Sequence, residues 1–279
     1  MRHLDLFSGI GGFALAARWI GWQTVQFVEI DKFCQQVLQK NFPGVPIHED
    51  IKTFDGTKLR GAVDILTGGP PCQPASIAGK RKGEADNRWL WPEAIRIFTE
   101  VRPRFAVFEN PDDLLTLEMG NPFERICSEM ENIGYKVEPV GIPAACVGAW
   151  HERDRVWIIA YLNNQGELQS KGSQQNKRRR TDNSYKKVTA DPYTQGLQEP
   201  ACTELDSIST EDEEFSGGAL NGGATTQWLQ WPAEPCLGGM VSRVPNRVDR
   251  IKALGNSVVP QVVYQIFKAI EELNNLPPY

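Results

Sequence analysis

One cysteine in this chain sits where a nucleophile would be presented: Gly68-Gly69-Pro70-Pro71-Cys72-Gln73-Pro74. Two prolines before it and one after fix φ and remove backbone donors, so the segment continues neither a helix nor a central strand and must be a loop. The run before it, Val63-Asp64-Ile65-Leu66, is apolar and β-forming. In an open α/β sheet, the loop after such a strand lies at the ligand-binding edge. Taken alone, Cys72 reads equally as a packed thiol, the commoner fate of an unpaired cysteine. A second chemistry-bearing segment is Asp5-Leu6-Phe7-Ser8-Gly9-Ile10-Gly11-Gly12-Phe13, glycine-rich between an apolar strand and a helix, where missing Cβ atoms admit a ligand against backbone. Gly9-x-Gly11-x-x-Ala14 satisfies a dinucleotide-binding pattern, and Glu29 falls near the distance of a ribose-binding acid. This loop by itself does not separate a nicotinamide dinucleotide from another adenosine-bearing ligand.

The elements that must carry these groups are legible as period-two and helical patterns over residues 1 to about 160. Strands are expected at Arg2 to Leu6, Gln23 to Val28, Val63 to Leu66, Phe105 to Glu109, Tyr135 to Ile142 and Val156 to Tyr161. Helices are expected at Phe13 to Trp19, Lys32 to Asn41, Trp89 to Val101, Pro122 to Ile133 and Gln261 to Leu273. Alternation of this kind predicts a doubly wound, mostly parallel α/β sheet. From Asn163 to about Gly223 the pattern gives way to a polar stretch, first basic (Lys177, Arg178, Arg179, Arg180) and then acidic (Glu211, Asp212, Glu213, Glu214), a composition expected to be flexible.

Composition narrows the class. The 279 residues suffice for one large domain or two unequal ones, and two unequal ones fit best. No secretory pattern and no long uncharged apolar run is present, so a cytoplasmic protein with no membrane partner is expected. The six cysteines (34, 72, 127, 146, 202, 236) form no Cys-x-x-Cys pair, which argues against zinc or any other metal and against a disulfide framework. A formal charge of −5 requires any nucleic-acid contact to be a local patch. Lys80, Arg81, Lys82 and Arg88, just after the cysteine, form one basic stretch, readable as a lid on a phosphate backbone or as an exposed loop; Arg243, Arg247 and Arg250 are further candidates.

Five segments in fixed order resemble the motifs of the C5-cytosine DNA methyltransferases: the glycine-rich loop, the Pro-Pro-Cys loop, Glu109-Asn110-Pro111, Arg153-Asp154-Arg155 and Gly255-Asn256-Ser257-Val258-Val259-Pro260. The resemblance implies the S-adenosylmethionine-dependent methyltransferase fold with a small, irregular target-recognition region. Its domains are a catalytic and cofactor-binding part at 1–162, a reduced recognition region at 163–247 and a C-terminal segment at 248–279 that packs back beside the N-terminal loop and completes the first part. It implies S-adenosyl-L-methionine held by Phe7, Gly9, Gly11, Gly12, Glu29, Asp50, Asn256 and Ser257, although Asp50 also reads as a turn aspartate and Asn256 as a helix cap. It implies catalysis by Cys72, Glu109, Arg153 and Arg155: thiolate addition to C6 of cytosine, Glu109 against N3 and the amine, and the arginines on O2 and the cysteine loop. The base must leave the stack for this chemistry, so base flipping on double-stranded DNA is expected.

The implied protein is a monomeric DNA methylation enzyme, with a cognate restriction endonuclease as a partner if it belongs to a restriction-modification system. A tRNA cytosine-5 methyltransferase and a catalytically inactive cofactor- or DNA-binding regulator stay open as alternatives. Pro111 stands where the family has valine, Ala75 where it commonly has phenylalanine and His151 where it has glutamine.

Overall fold

A computed structural model of the chain describes residues 1–71, 89–162, 186–187 and 245–275. Cys72, Ala75, the basic stretch at 80–88, Arg243 and nearly all of the polar stretch lie outside the described residues.

Eight strands form one sheet: β1 (Arg2–Leu6), β2 (Gln23–Val28), β3 (Ile47–His48), β4 (Ile65–Gly68), β5 (Phe105–Pro111), β6 (Tyr135–Gly141), β7 (Arg155–Leu162) and β8 (Lys186–Lys187). Their order is β3-β2-β1-β4-β5-β7-β6-β8. β3, β2, β1, β4 and β5 run parallel; β7 is antiparallel to β5 and to β6. The chain winds outward from β1 to β3, then restarts at β4 on the other side of β1. The switch point between β1 and β4 is where an open α/β sheet leaves a crevice at its carboxyl edge.

The helices are α1 (Gly12–Trp19), α2 (Lys32–Asn41), α3 (Trp91–Val101), α4 (Asn121–Asn132), α5 (Arg247–Asn256) and α6 (Pro260–Asn274). Alternation along each central strand splits the core into two layers. Leu4, Leu6, Leu66, Ala106, Phe108 and Ile158 face α3 and α4. Ile65, Phe105, Val107 and Trp157 face α1 and α6 through Phe13, Ala17, Val263 and Phe267. The C-terminal helix thus seals the same face as the first helix. Trp22, beside α1, also donates its indole N–H to Glu271 at 2.9 Å.

The helices start where local chemistry allows. Asp31 accepts from the amides of Phe33 (3.0 Å) and Cys34 (3.2 Å) and caps α2. Proline occupies the first turn of α3, α4 and α6, where its missing N–H costs nothing.

Four elements depart from expectation: the two-residue edge strands β3 and β8, too short to leave a pattern, were not expected, and β4 and α5 differ as follows. β4 runs from Ile65 to Gly68 instead of Val63 to Leu66, because pairing with β1 begins at His3 opposite Ile65 and continues to Leu6 opposite Gly68. Gly68 belongs in the strand for a steric reason: a Cβ there would lie 3.2 Å from the Leu6 carbonyl. α5 was not expected, although Val248, Ile251 and Leu254 recur at helical spacing; all three are exposed, so no amphipathic burial marked it.

Below the crevice, a hydrogen-bonded chain crosses β2, β1 and β4. His3 Nδ1 lies 2.9 Å from Thr24 Oγ1 and its Nε2 2.7 Å from Thr67 Oγ1, which donates to Asp5 Oδ1 at 2.7 Å. All four residues are buried, and Asp5 Oδ2 has no partner. Burial drives the two titratable groups neutral: His3 falls to about 3 and Asp5 rises to about 8, the latter also pushed by the Glu29 charge. A neutral His3 donating from Nε2 and accepting at Nδ1 satisfies both threonines.

The linkage has a definite sign. Asp5 holds its proton more tightly folded than unfolded, so its stabilising effect is full below about 4 and is lost as pH rises to about 8. His3 acts oppositely, its contribution rising with pH between about 3 and 6.5. The two offset each other between about 4 and 6.5. From pH 6.5 to 8 the Asp5 loss is unopposed by His3, and the thermal midpoint should fall; in Asp5→Asn the fall should be smaller, as followed by circular dichroism.

Candidate active site

The loop after β1 turns by backbone conformations that side chains resist. Phe7, Gly9 and Gly11 have φ of 53°, 52° and 89°, all left-handed, and a left-handed phenylalanine is a strained residue of the sort that collects at ligand sites. The Gly11 amide donates to the Ser8 carbonyl at 2.9 Å, and Ser8 Oγ donates to the Asp5 carbonyl at 2.8 Å, so the turn is tied to the buried chain beneath it. Each glycine has its own reason. A Cβ at Gly9 would meet nothing within 4 Å, leaving an open approach to backbone; one at Gly11 would lie 2.7 Å from the Phe42 ring, and one at Gly12 2.6 Å from Val258 Cγ2.

Glu29 follows β2 at the same level. It is 8% exposed, and its two oxygens accept from the amides of Gly9 (2.6 Å) and Asp31 (2.7 Å). Burial pushes its carboxyl upward, and the backbone donors pull it back. Asp50, after β3, is half-buried and caps the short turn Ile51–Thr53 through the Lys52 amide at 2.9 Å. Three adjacent parallel strands therefore deliver the glycine loop, Glu29 and Asp50 to one edge. Next to Glu29, Ile30 is 67% exposed, an apolar surface that the sequence reading missed because no periodicity marks a single loop isoleucine.

The second cluster lies where β4 and β5 end. Glu109 is 8% exposed, and its Oε1 is 2.7 Å from Nε of Arg155. β7 pairs Arg155 opposite Pro111 and Trp157 opposite Glu109, so Arg155 and Glu109 are diagonal neighbours on one face. Burial raises the Glu109 pKa, and the positive charges of Arg155 and Arg153 lower it. The Pro-Pro-Cys segment emerges beside this pair: a Cβ on Gly69 would lie 3.6 Å from Glu109 Oε2. Asn110 donates to the Pro70 carbonyl at 3.3 Å and to the Glu109 carbonyl. Pro111, flagged as a departure, closes β5 without breaking its register with β7. Pro71 is the last described residue before Cys72.

Arg153 and Arg155 part ways. Arg153, at a left-handed φ of 43°, donates from Nη2 to the carbonyls of Gly255 (3.0 Å) and Ser257 (2.6 Å). Arg155 Nη1 donates to the Asp154 carbonyl at 2.7 Å, which fixes the guanidinium against Glu109. Asn256 is the exposed last residue of α5; Ser257 is half-buried, and its Oγ would lie 3.1 Å from a Cβ at Gly12. His151 is exposed. Of the residues singled out in the sequence, the fold therefore groups Phe7, Gly9, Gly11, Gly12, Glu29 and Asp50 along one edge, Glu109 with Arg155 further along it, and Arg153 with the Gly255–Ser257 backbone.

Residues 1–218 match the family model of the C-5 cytosine-specific DNA methylases. The chain is 34% identical over 164 residues to the type II methyltransferase M.HhaI of Haemophilus parahaemolyticus, covering 58% of this chain and 50% of that protein. It is 36% identical over 163 residues to the type II methyltransferase M.Eco47II of Escherichia coli (57% and 39% covered), and 33% identical over 170 residues to the orphan methyltransferase M.SPRI of Bacillus phage SPR (57% and 37%). The chain thus spans half or less of the length of these relatives. Among solved structures, a prophage-encoded candidate DNA modification methyltransferase of E. coli superposes with a TM-score of 0.50 at 25% identity, covering 58% of this chain and 47% of that one. A DNMT2 mutant of Spodoptera frugiperda superposes at 0.52 with 20% identity, covering 68% and 55%, a likeness of fold. Among the described residues, no helix is long and apolar enough to cross a membrane.

The Glu109–Arg155 pair makes a direct test. Arg155→Ala leaves a carboxylate buried without its partner, which should cost roughly 3 kcal/mol in urea denaturation at neutral pH. Adding Glu109→Gln should recover most of that loss, whereas simple additivity of the two replacements would show that the pair is not coupled.

Proposed function

Because the chain belongs to the C-5 cytosine-specific DNA methylase family, we propose that it methylates C5 of cytosine in double-stranded DNA, with Cys72 as nucleophile and S-adenosyl-L-methionine as methyl donor. The observation that carries the reading is the buried Glu109–Arg155 pair beside Gly69–Pro70, the described stub of the segment that bears Cys72.

The chemistry follows from what cytosine lacks. Its C5 is too weak a nucleophile to accept a methyl group unaided, and covalent addition removes that obstacle. The Cys72 thiolate forms a bond to C6, and the ring electrons shift to make C5 enamine-like. Glu109, whose carboxyl burial favours the protonated form, stands to hold N3 and the exocyclic amine as charge develops there. Arg155 fixes that carboxyl and, with its remaining donors, suits the base's O2. After methylation, a base removes the C5 proton, the C6–S bond breaks and the thiolate is regenerated. Such attack needs the cytosine outside the stack, so base flipping belongs to the proposal.

The loop residues fit an adenosine-bearing donor. The open backbone at Gly9, the buried Glu29 carboxylate suited to ribose hydroxyls, the exposed Ile30 face and Asp50 lie along adjacent strand ends. Ser257 approaches the same loop from the C-terminal side, within reach of Gly12, and Asn256 precedes it at the end of α5. When bound, S-adenosylmethionine supplies a methyl group on a positively charged sulfur, the electrophile that the activated C5 needs. The division into a catalytic part (1–162), a recognition region (163–247) and a closing segment (248–279) is part of the same proposal, as are a cytoplasmic, monomeric enzyme and a cognate restriction endonuclease as partner.

Transfer of labelled methyl from S-adenosylmethionine to unmodified duplex DNA, with base-resolution mapping, tests the reading. Label should appear at C5 of cytosine in a recurring context. Cys72→Ser should lower transfer by on the order of a thousandfold or more while leaving cofactor affinity nearly unchanged, since the thiol acts on the base. Preferred transfer to tRNA in competition would move the substrate to RNA. Near-normal turnover by the mutant would refute the nucleophile.

A further inference from the structure

Arg153 lies between the two halves of the site, bonded to the backbone of the C-terminal segment and not to the Glu109 or Arg155 side chains. On one side, its Nη2 donates to both the Gly255 and Ser257 carbonyls, at 3.0 and 2.6 Å. Those carbonyls flank the turn from α5 into the segment that lies on the glycine loop, where Val258 and Ser257 crowd Gly12 so closely that a Cβ would be 2.6 Å from one and 3.1 Å from the other. On the other side, the guanidinium sits in the field of Glu109 and Arg155, two residues before Arg155 on the same chain. Its backbone is held left-handed at φ 43°, a conformation a side chain adopts only where surrounding contacts enforce it. The segments it joins are 102 and 104 residues apart in sequence.

We propose that Arg153 is a positioning residue that clamps the C-terminal segment Gly255–Val258 onto the glycine loop, and so supports cofactor binding there without touching the cofactor. This rests on the proposed function, and it departs from the role that family resemblance assigns to Arg153, contact with the base and the cysteine loop. Two bonds from one nitrogen hold this turn to the residues just before β7. The Ser257 amide bonds locally to the Leu254 carbonyl at 3.3 Å, and Ser257 Oγ donates to the Val258 carbonyl at 3.1 Å, so neither ties the turn to β7. Releasing Arg153 frees the segment to lift from Gly12. Because linkage is reciprocal, whatever orders the Arg153 end should strengthen ligand binding at the loop, and ligand at the loop should order the Arg153 end.

The test uses the full chain, with S-adenosylhomocysteine as probe and no DNA present, by isothermal calorimetry. Arg153→Ala should weaken binding by about tenfold, a typical coupling between sites, although Arg153 is not placed against the ligand. Arg153→Lys, whose ammonium still donates in more than one direction, should recover affinity to within about threefold of wild type. Arg155→Ala, which disturbs only the base side, should bind within about twofold of wild type. Combining Arg153→Ala with Val258→Ala, which removes the contact on Gly12, should give a loss well short of the product of the two, since both act through one segment. That comparison holds even if Arg153→Ala lowers overall stability.

Unchanged affinity in Arg153→Ala, with methyl transfer to DNA lost, would overturn the proposal and return Arg153 to the base. Independent, multiplicative losses for Arg153→Ala and Val258→Ala would overturn it as well. A wild-type chain that binds no S-adenosylhomocysteine would refute the reading of the glycine loop itself, and this inference with it, a result distinct from every variant-specific outcome.

Discussion

Seven ladder pairs, from Phe105 opposite Tyr161 to Pro111 opposite Arg155, hold β7 antiparallel to β5, and the groups at the far end of the crevice are aimed by that pairing. A parallel strand in the same place would enter from the opposite edge and carry its first residues away from Glu109. Because β7 runs backwards, its beginning meets the end of β5. Arg155 then falls diagonal to Glu109 on the face that also carries Val107 and Trp157. The ion pair at 2.7 Å is a consequence of register, and a slip by one residue would turn Arg155 to the opposite face of the sheet.

Three acids line the carboxyl edge on or beside that face, and the protein treats each differently. Asp5 is sealed in the core with a threonine donor on one oxygen and nothing on the other. Glu29 has both oxygens on backbone amides. Glu109 faces an arginine. Burial raises all three, but the compensation ranges from one hydroxyl to two amides to a full positive charge. The order fits their positions: the least compensated acid supports the loop from below, and the two with stronger donors stand where ligand groups would arrive. Perturbed acids gathered at a strand-end crevice mark a candidate site.

The C-terminal segment gives the crevice its second wall. α6 packs on α1 through Val263 and Phe267, and the turn before it rests on Gly12. The family model ends at residue 218, before this segment, which meets the glycine loop by packing. The matched relatives extend well beyond the region they share with this chain, and the residues matched by the family model include the glycine loop, Glu29, Glu109 and the arginine pair.

Sequence by itself determined the order of the six longer strands and of every α-helix but α5, because hydrophobic patterns are local and the sheet's core strands are strongly apolar. It also marked the glycine loop and Glu29 by their spacing, and Glu109 and the arginines through the family motifs that they carry. It could not show where β4 ends, because the steric demand on Gly68 comes from Leu6, sixty-two residues earlier. Nor could it show α5, whose three aliphatics stay exposed and so leave no burial signal. The neutral His3–Asp5 chain and the divergence of Arg153 from Arg155 were likewise decided by tertiary structure. Two arginines two residues apart look equivalent in sequence; only the antiparallel β7, Glu109 on one side and the returning carbonyls of Gly255 and Ser257 on the other give them different partners. Hydrogen bonds and ion pairs across such separations depend on distances that the chain acquires only by folding.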